Sequence, residues 1–524
     1  KAAIEKAIKA IPGIGVEENT SNDFAANHTN IIFDKAQMVV IQDKKENVTM
    51  ASLFFLVNEE LNAAKKALEG MVASSALDSS LTEPRLSFTS VEAVKAALKG
   101  IVEVTDSGAR VIDEAALRGE LIDNLVYDAT FNPDQEIVNA TRELIKDIAA
   151  SLGIKPFTTY DKYLEKAKDS RHYTWPAINV RGMAYDTARA VFNSAVRKNA
   201  TEFILEIAKS EIGYTHQRPA EFTTSMLAGA IKEGYKNTVY LKGDHFQVAL
   251  KDYLADPVEA VKIMKALTRE AIEAGFYQID LDMSPLVNWT KTIPDEQQEL
   301  NYKLTADFTL FVRDLERKLG LDKKGIVVNL AGEIGEIGMG LDKAQQQNST
   351  EADLDAFMNG YLPELKALSL KAGYELKPIT IIAVQTGTKH GGVRDAQGKI
   401  AEAKVGFNTL GKLGKRARGK YGLAGVVQHG ASTLPEPYFT IFAGNPVPKG
   451  TQIAETLLNE QGKEDLKDNP VAEVHLATAY QDTTIDHPEL PADLGNEMKD
   501  YILKKYPPKE GQDPNKVFVD NRKN

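Results

Sequence analysis

From Pro176 onward the chain alternates short β-rich runs with amphipathic stretches of helical periodicity, and it does so eight times. The runs are PAINV (176–180), EFILEI (202–207), TVYLKG (238–243), FYQIDL (276–281), GIVVNL (325–330), ITIIAVQ (379–385), LAGVVQ (423–428) and VAEVHLA (471–477). Strands separated by helices pair in parallel, because each helix carries the chain back across the sheet. The stretch after the third run shows the pattern in detail. Asp256 suits an N-cap and Pro257 the first helical position. Val258, Val261, Met264, Leu267 and Ala271 recur at three- or four-residue spacing, and Gly275 ends the helix. Eight such units predict an α/β fold, a (β/α)8 TIM barrel over residues 171–505, in preference to an open doubly wound sheet. In such a barrel the catalytic groups sit at the C-terminal ends of the strands.

At 524 residues the chain exceeds what one barrel needs. Residues 1–170 read as a mainly helical region with one strand, QMVVIQ (37–42), and a helix EIVNATRELIKDIAASLG (136–153) that stops on Gly153. Titratable residues do not cluster there, so a packing or oligomerisation appendage is expected, and with it a homo-oligomer. Residues 506–524 form a C-terminal tail. A composition of 43% hydrophobic and 26% charged residues excludes wholesale disorder. Lys and Arg number 63 against 74 Asp and Glu, a net charge of −11 that argues against a nucleic-acid partner. No run approaches the ~18 apolar residues of a membrane span. The first residues, KAAIEKAIKAIPGIGV, lack the apolar centre of a signal peptide, so a cytoplasmic protein without a membrane partner is expected.

The chain contains no cysteine, which removes disulfide scaffolds, thiolate nucleophiles, iron–sulfur clusters and Cys-ligated zinc together. Any metal must be held by His, Asp or Glu, and there are only eight histidines. Four of them meet the strand-end requirement. His245 follows the third run, His390 the sixth and His429 the seventh, while His475 lies within the eighth. Asp244, Asp280 and Glu333 fall at the ends of the third, fourth and fifth. His28, His172, His216 and His487 lie elsewhere and read as surface or loop residues. One strand-end histidine is ordinarily structural; several converging on one mouth are the usual nitrogen ligands of zinc with a position left open. His390 and His429 are each followed by glycine, in TGTKHGGVRD and VVQHGASTLPE, which lets backbone N–H groups approach an oxyanion closely. Arg394 and Ser432 add a cation and a hydroxyl nearby. GGVRDAQGKI (391–400) has the wrong spacing for a P-loop, and EIGEIGMG (333–340) lacks the dinucleotide-binding spacing.

The ordered set KGDHFQ, QIDLDMS, GEIGEIG, TGTKHGG, QHGAS and VHLAT resembles the successive strand-end motifs of the metal-dependent class II ketose-bisphosphate aldolases, which include the fructose- and tagatose-bisphosphate enzymes. The resemblance runs from about Pro176 to Tyr480. It implies that His245, His390 and His429 bind zinc, with Glu333 able to approach the metal and cobalt, manganese or iron fitting the same groups. It implies that Asp244 handles the proton of the substrate C4 hydroxyl. Gly391, Gly430, Ala431 and Ser432 match the loops around the phosphate of dihydroxyacetone phosphate. Ser210 matches a substrate-contacting serine after the second strand, and His475, Ala477 and Thr478 fall in the substrate-contacting motif of the eighth. The implied partner is a small sugar phosphate, and the implied reaction a zinc-assisted retro-aldol cleavage through a stabilised enediolate. That chemistry needs no Schiff-base lysine; Lys242 and Lys389 are expected to line the rim or meet phosphate.

The chain departs from the family pattern in three places. His475 stands where the family has asparagine, Thr433 stands where glycine usually follows HGAS, and MGLDKAQQQ (339–347) replaces an acidic run. Two alternatives therefore stand beside the aldolase. A ketose or ketose-phosphate 4-epimerase would make the same cut and re-add the aldehyde. A noncatalytic barrel subunit or scaffold would need none of these side chains.

Overall fold

The computed structural model describes residues 27–33, 36–42 and 49–55 as backbone, then residues 87–105, 108–169, 174–335, 348–388, 405–432, 434–477, 492–509, 512–514 and 517–518. The chain divides into two compact units, Lys1–Leu152 and Gly153–Asn524. No helix among the described residues is long and apolar enough to cross a membrane.

In the first unit the expected strand at Ala36–Gln42 pairs antiparallel with Asn27–Phe33 and Thr49–Phe55. Helices follow, among them Ile122–Phe131 and Gln135–Ser151, with a small hairpin of Val102–Thr105 and Gly108–Val111. The helix Gln135–Ser151 starts where Asp134 accepts from the Glu136 N–H and stops before Gly153, whose φ is +78°.

The second unit is the barrel. Its strands are β1 (Trp175–Asn179), β2 (Ile204–Ala208), β3 (Tyr240–Gln247), β4 (Gln278–Asp282), β5 (Asn329–Glu333), β6 (Ile381–Ala383), β7 (Gly425–Gln428) and β8 (Val471–Leu476). They close in sequential order, every pair parallel, with β8 beside β1. The covering helices include α1 (Ala184–Lys198), α2 (Pro219–Glu233), α3 (Pro257–Glu273), α4 (Pro294–Leu319), α5 (Glu351–Ala372), α6 (Phe407–Tyr421) and α7 (Glu460–Leu466). All eight expected runs are strands, displaced by a few residues at most.

Helix α3 begins as its sequence dictates, with Asp256 Oδ1 accepting from the N–H groups of Val258 and Glu259. Its buried face, however, is Ala260, Met264, Thr268, Ala271 and Ile272, and Val258 is 78% exposed. The contact face is thus turned from the expected stripe toward one that includes Ala260, Thr268 and Ile272.

The boundary between the units lies earlier than the expected 170/171. Helix Tyr160–Lys168 belongs to the second unit and closes the floor of the barrel. Tyr163 on this helix packs among Trp175, Ala177, Ile204, Tyr240, Ala331, Ile381 and Val427 inside the barrel. Thr158, just before the helix, donates to the Val327 carbonyl ahead of β5. The sequence conceals this role because the floor helix is short and carries two lysines in its last turn.

Candidate metal centre and acid–base site

Strand geometry puts alternate residues inside the barrel, so Tyr240, Lys242 and Asp244 of β3 climb from floor to mouth, as do Gln278, Asp280 and Asp282 of β4. At the top of β3 the regular pairing with β4 breaks between Gly243 and Phe246. A Cβ on Gly243 would fall 2.6 Å from the Phe246 ring, so glycine alone fits under that side chain. His245 takes φ +44°, a left-handed conformation rarely held by a residue with a Cβ. Such a bulge at a strand end re-aims side chains, here into the mouth.

The His245 ring is held on its Nδ1 side. Asp282 Oδ2 lies 3.3 Å from Nδ1 and Glu333 Oε2 3.4 Å. Asp282 is itself oriented by Ser284, whose hydroxyl donates at 2.6 Å, and by the Gln247 amide at 3.0 Å. The opposite nitrogen, Nε2, faces Asp244 Oδ2 at 3.7 Å. A carboxylate behind one imidazole nitrogen is the arrangement that presents the other to a metal.

His429 follows β7, its carbonyl accepting from the Thr388 hydroxyl at 2.9 Å and the Gln428 amide at 2.6 Å. Its ring centre lies 4.5 Å from that of His245 and 4.0 Å from that of His475. Asp280 Oδ2 is 3.9 Å from His429 Nε2. Glu333, from β5, joins Asp280 and His429 in one group whose ligand atoms all lie within 4.8 Å, and joins His245 and Asp282 in another. The backbone beyond Glu333 runs close to its neighbours: a Cβ on Gly335 would fall 2.3 Å from Ser349 Oγ.

Charge decides what this mouth requires. Glu206, Asp244, Asp280, Asp282, Glu333 and Glu473 are all buried, against the ammonium of Lys242 and the three imidazoles. Both oxygens of Asp280 are buried without a hydrogen-bond partner. Buried, unpartnered carboxylates are costly unless neutralised by a proton or a cation. From the protein's own charges, burial pushes Glu206 up to about 8, with Asp244 adding to the effect, and pushes Asp280 up to about 6. Asp244 is held well below the usual carboxylate range: burial opposes this, but His245 and His475 outweigh it. His245 and His475 are raised against their burial by the surrounding carboxylates, His475 to about 10. Mixed imidazole and carboxylate donors, an excess of buried negative charge and the unbonded Asp280 together fit a divalent cation.

The structure thus brings together Asp244, His245, Glu333, His429 and His475. Lys389, His390, Gly391, Arg394, Thr433 and Thr478 lie outside the described residues. Gly430 turns at φ +66°, Ala431 is buried with its N–H donating to the His475 carbonyl at 3.2 Å, and Ser432 is half-buried. Ala477 is half-buried just past β8, whereas Ser210 is exposed in the first turn of helix Lys209–Thr215. Lys242 corrects its rim assignment. It is fully buried in the barrel, 2.6 Å from Glu473 Oε1, because its side chain points inward from mid-strand. Glu206, Asp282 and Glu473 were not selected from the sequence. Their signal was a charged residue inside an otherwise apolar parallel strand, as in EFILEI and VAEVHLA.

No protein-family profile and no curated protein matches the chain. Among solved structures it is similar to a probable tagatose 6 phosphate kinase from Sinorhizobium meliloti 1021, with 15% sequence identity, a TM-score of 0.39, and coverage of 64% of this chain and 76% of that one.

Proposed function

We propose that this protein is a metal-dependent aldolase that splits a ketose bisphosphate, fructose 1,6- or tagatose 1,6-bisphosphate, into dihydroxyacetone phosphate and glyceraldehyde 3-phosphate. The observation that carries the reading is Asp244, a buried carboxylate at the barrel mouth, 3.7 Å from His245 Nε2 and next to a group of imidazoles and carboxylates suited to a cation. His245, His429 and Glu333 would hold the cation, with His390, which follows β6 in the sequence, and zinc the favoured ion. When bound, such a cation supplies Lewis-acid polarisation of the ketose carbonyl.

The remaining work falls to the chain's own groups. Asp244 takes the C4 hydroxyl proton as the C3–C4 bond breaks, the bonding electrons pass to C3, and the C4 end leaves as an aldehyde. Asp244 can accept because it is a carboxylate with His245 Nε2 3.7 Å away, beside the proposed cation site. The Gly430 backbone N–H and the Ser432 hydroxyl, just after His429, would meet a phosphate beside the mouth, a common location for phosphate in this fold, while the Ala431 N–H stays on the His475 carbonyl. The electron pair left on C3 is quenched when a proton is returned to it.

The test is triose-phosphate release from fructose and tagatose 1,6-bisphosphates, with and without chelator and with zinc restored. Chelator-sensitive release that zinc restores is expected. A zinc-loaded protein that releases no triose phosphate from either sugar would overturn the reading.

A further inference from the structure

Beneath Asp244 the barrel interior holds a connected run of charged side chains that the reaction above does not use. Lys242 Nζ lies 2.6 Å from Glu473 Oε1 and 2.8 Å from His475 Nε2. Glu473 is anchored through its other oxygen by the Tyr163 hydroxyl at 2.5 Å and the Gln278 amide at 2.7 Å. The His475 imidazole is therefore gripped at Nε2. It presents Nδ1 toward the mouth, 3.2 Å from Asp244 Oδ1 and 3.4 Å from Glu206 Oε2.

The grip restricts where the ring hydrogen resides. Glu473 Oε1 also lies 2.7 Å from His475 Nε2, so ammonium, carboxylate and imidazole nitrogen form a tight triangle. An ammonium only donates. If Nε2 accepts from Lys242, the ring hydrogen is on Nδ1; if Nε2 donates to Glu473 in the cationic ring, Nδ1 carries a hydrogen as well. A neutral ring with its hydrogen on Nε2 is the disfavoured state. It would aim a lone pair at the Asp244 carboxylate, 3.2 Å away, while an N–H confronts the Lys242 ammonium.

We propose that Lys242 and Glu473 are positioning residues that fix a hydrogen on His475 Nδ1 against Asp244 Oδ1, leaving Oδ2, on the His245 side, as the oxygen that takes the substrate proton. The state of the ring stands independently of the reaction, whereas the consequence for turnover rests on the proposed aldolase function. Asparagine at position 475 would also offer an N–H to Asp244, although it would be too short to keep the grip of Lys242 and Glu473.

The experiment uses the full-length, zinc-loaded protein with 15N-labelled histidine, the His475 signals being assigned by their loss in His475→Asn. A hydrogen on Nδ1 is expected, and a ring protonated on Nε2 alone would overturn the proposal. With fructose 1,6-bisphosphate, Lys242→Met should lower kcat by roughly 10- to 100-fold, as loss of an outer orienting partner usually does, and leave KM unchanged. His475→Asn should retain more turnover than His475→Leu; equal turnover in the two would overturn the positioning role even if Lys242→Met fails to fold. Wild-type protein that cleaves no ketose bisphosphate yet shows the Nδ1 hydrogen would remove the aldolase reading and leave the Lys242–Glu473 device supported.

Discussion

The floor and the mouth of this barrel are built from the same strands and obey opposite rules. At the floor a chain of buried polar groups is neutral and hydrogen-bonded. Thr159 donates to Gln278 at 2.7 Å, the Asn329 amide donates to Thr159 at 3.0 Å, and Thr380 donates to Asn329. Tyr163, Trp175 and Tyr240 fill the space beside them. Two to four residues further along these strands stand Asp280, Asp282, Glu333 and Asp244, all buried carboxyl groups, with both Asp280 oxygens lacking a hydrogen-bond partner. The contrast teaches that a parallel barrel separates its tasks along each strand, with cohesion at the start and reactivity at the end.

The largest expected effects lie at the mouth. His429→Ala should lose both metal and turnover. Asp244→Ala should keep its metal while kcat falls by ~10²–10⁴, the usual scale for a general base. Elemental analysis beside the triose-phosphate assay separates the two. Retained metal in His429→Ala, or undiminished turnover in Asp244→Ala, would break the division of roles within the mouth.

A second effect concerns stability and its sign. Burial raises Glu206 from 4.5 to about 8 and Asp280 from 3.8 to about 6, and the Glu206 and Asp244 carboxylates raise His475 from 6.5 to about 10 despite its burial. In each case the folded chain binds its proton more tightly than the unfolded chain. The associated stability is therefore present at low pH and lost as pH rises through the folded value. The windows run from 3.8 to 6 for Asp280, from 4.5 to 8 for Glu206 and from 6.5 to 10 for His475. Chelator-treated protein should accordingly lose stability as pH is raised from 6 to 9, by at most about 1.4 kcal/mol per unit for each group, offset in part by Lys166, which burial lowers to about 7 and whose contribution grows as pH rises. Zinc should oppose the trend, because a cation replaces the protons. A melting temperature that rises with pH after chelation would mean that the mouth's charges are balanced without a cation.

The sequence carried the architecture well, for a physical reason. Each barrel strand is buried on both faces and reads as an apolar run, and caps such as Asp256 with Pro257 mark the helices between them. Strand-end placement alone marks Asp244, His245, Glu333 and His429. The middle layer was less legible. Lys242 and Glu473 lie far apart in the chain, 231 positions, and only barrel closure brings β3 and β8 across from one another. Helix Tyr160–Lys168 was hidden for a similar reason, since its polar pattern gives no sign that Tyr163 enters the interior. Nor does periodicity alone fix which stripe of α3 is buried, where Val258 points outward and Ala260 inward.

The smallest expected effect tests the floor. The Thr158 hydroxyl donates to the Val327 carbonyl and accepts from the Tyr160 N–H at 3.0 Å, tying the floor helix to the start of β5. Thr158→Val keeps the side-chain shape and removes both bonds, which should cost about 1–3 kcal/mol, the penalty for buried groups left without partners. Denaturant unfolding measures that loss. Metal content and kcat should be unchanged, because the bonds of Thr158 do not pass through Gln278 to Glu473. A variant that unfolds normally but loses turnover would show that the floor positions the mouth, and the separation of tasks along the strands would then fail.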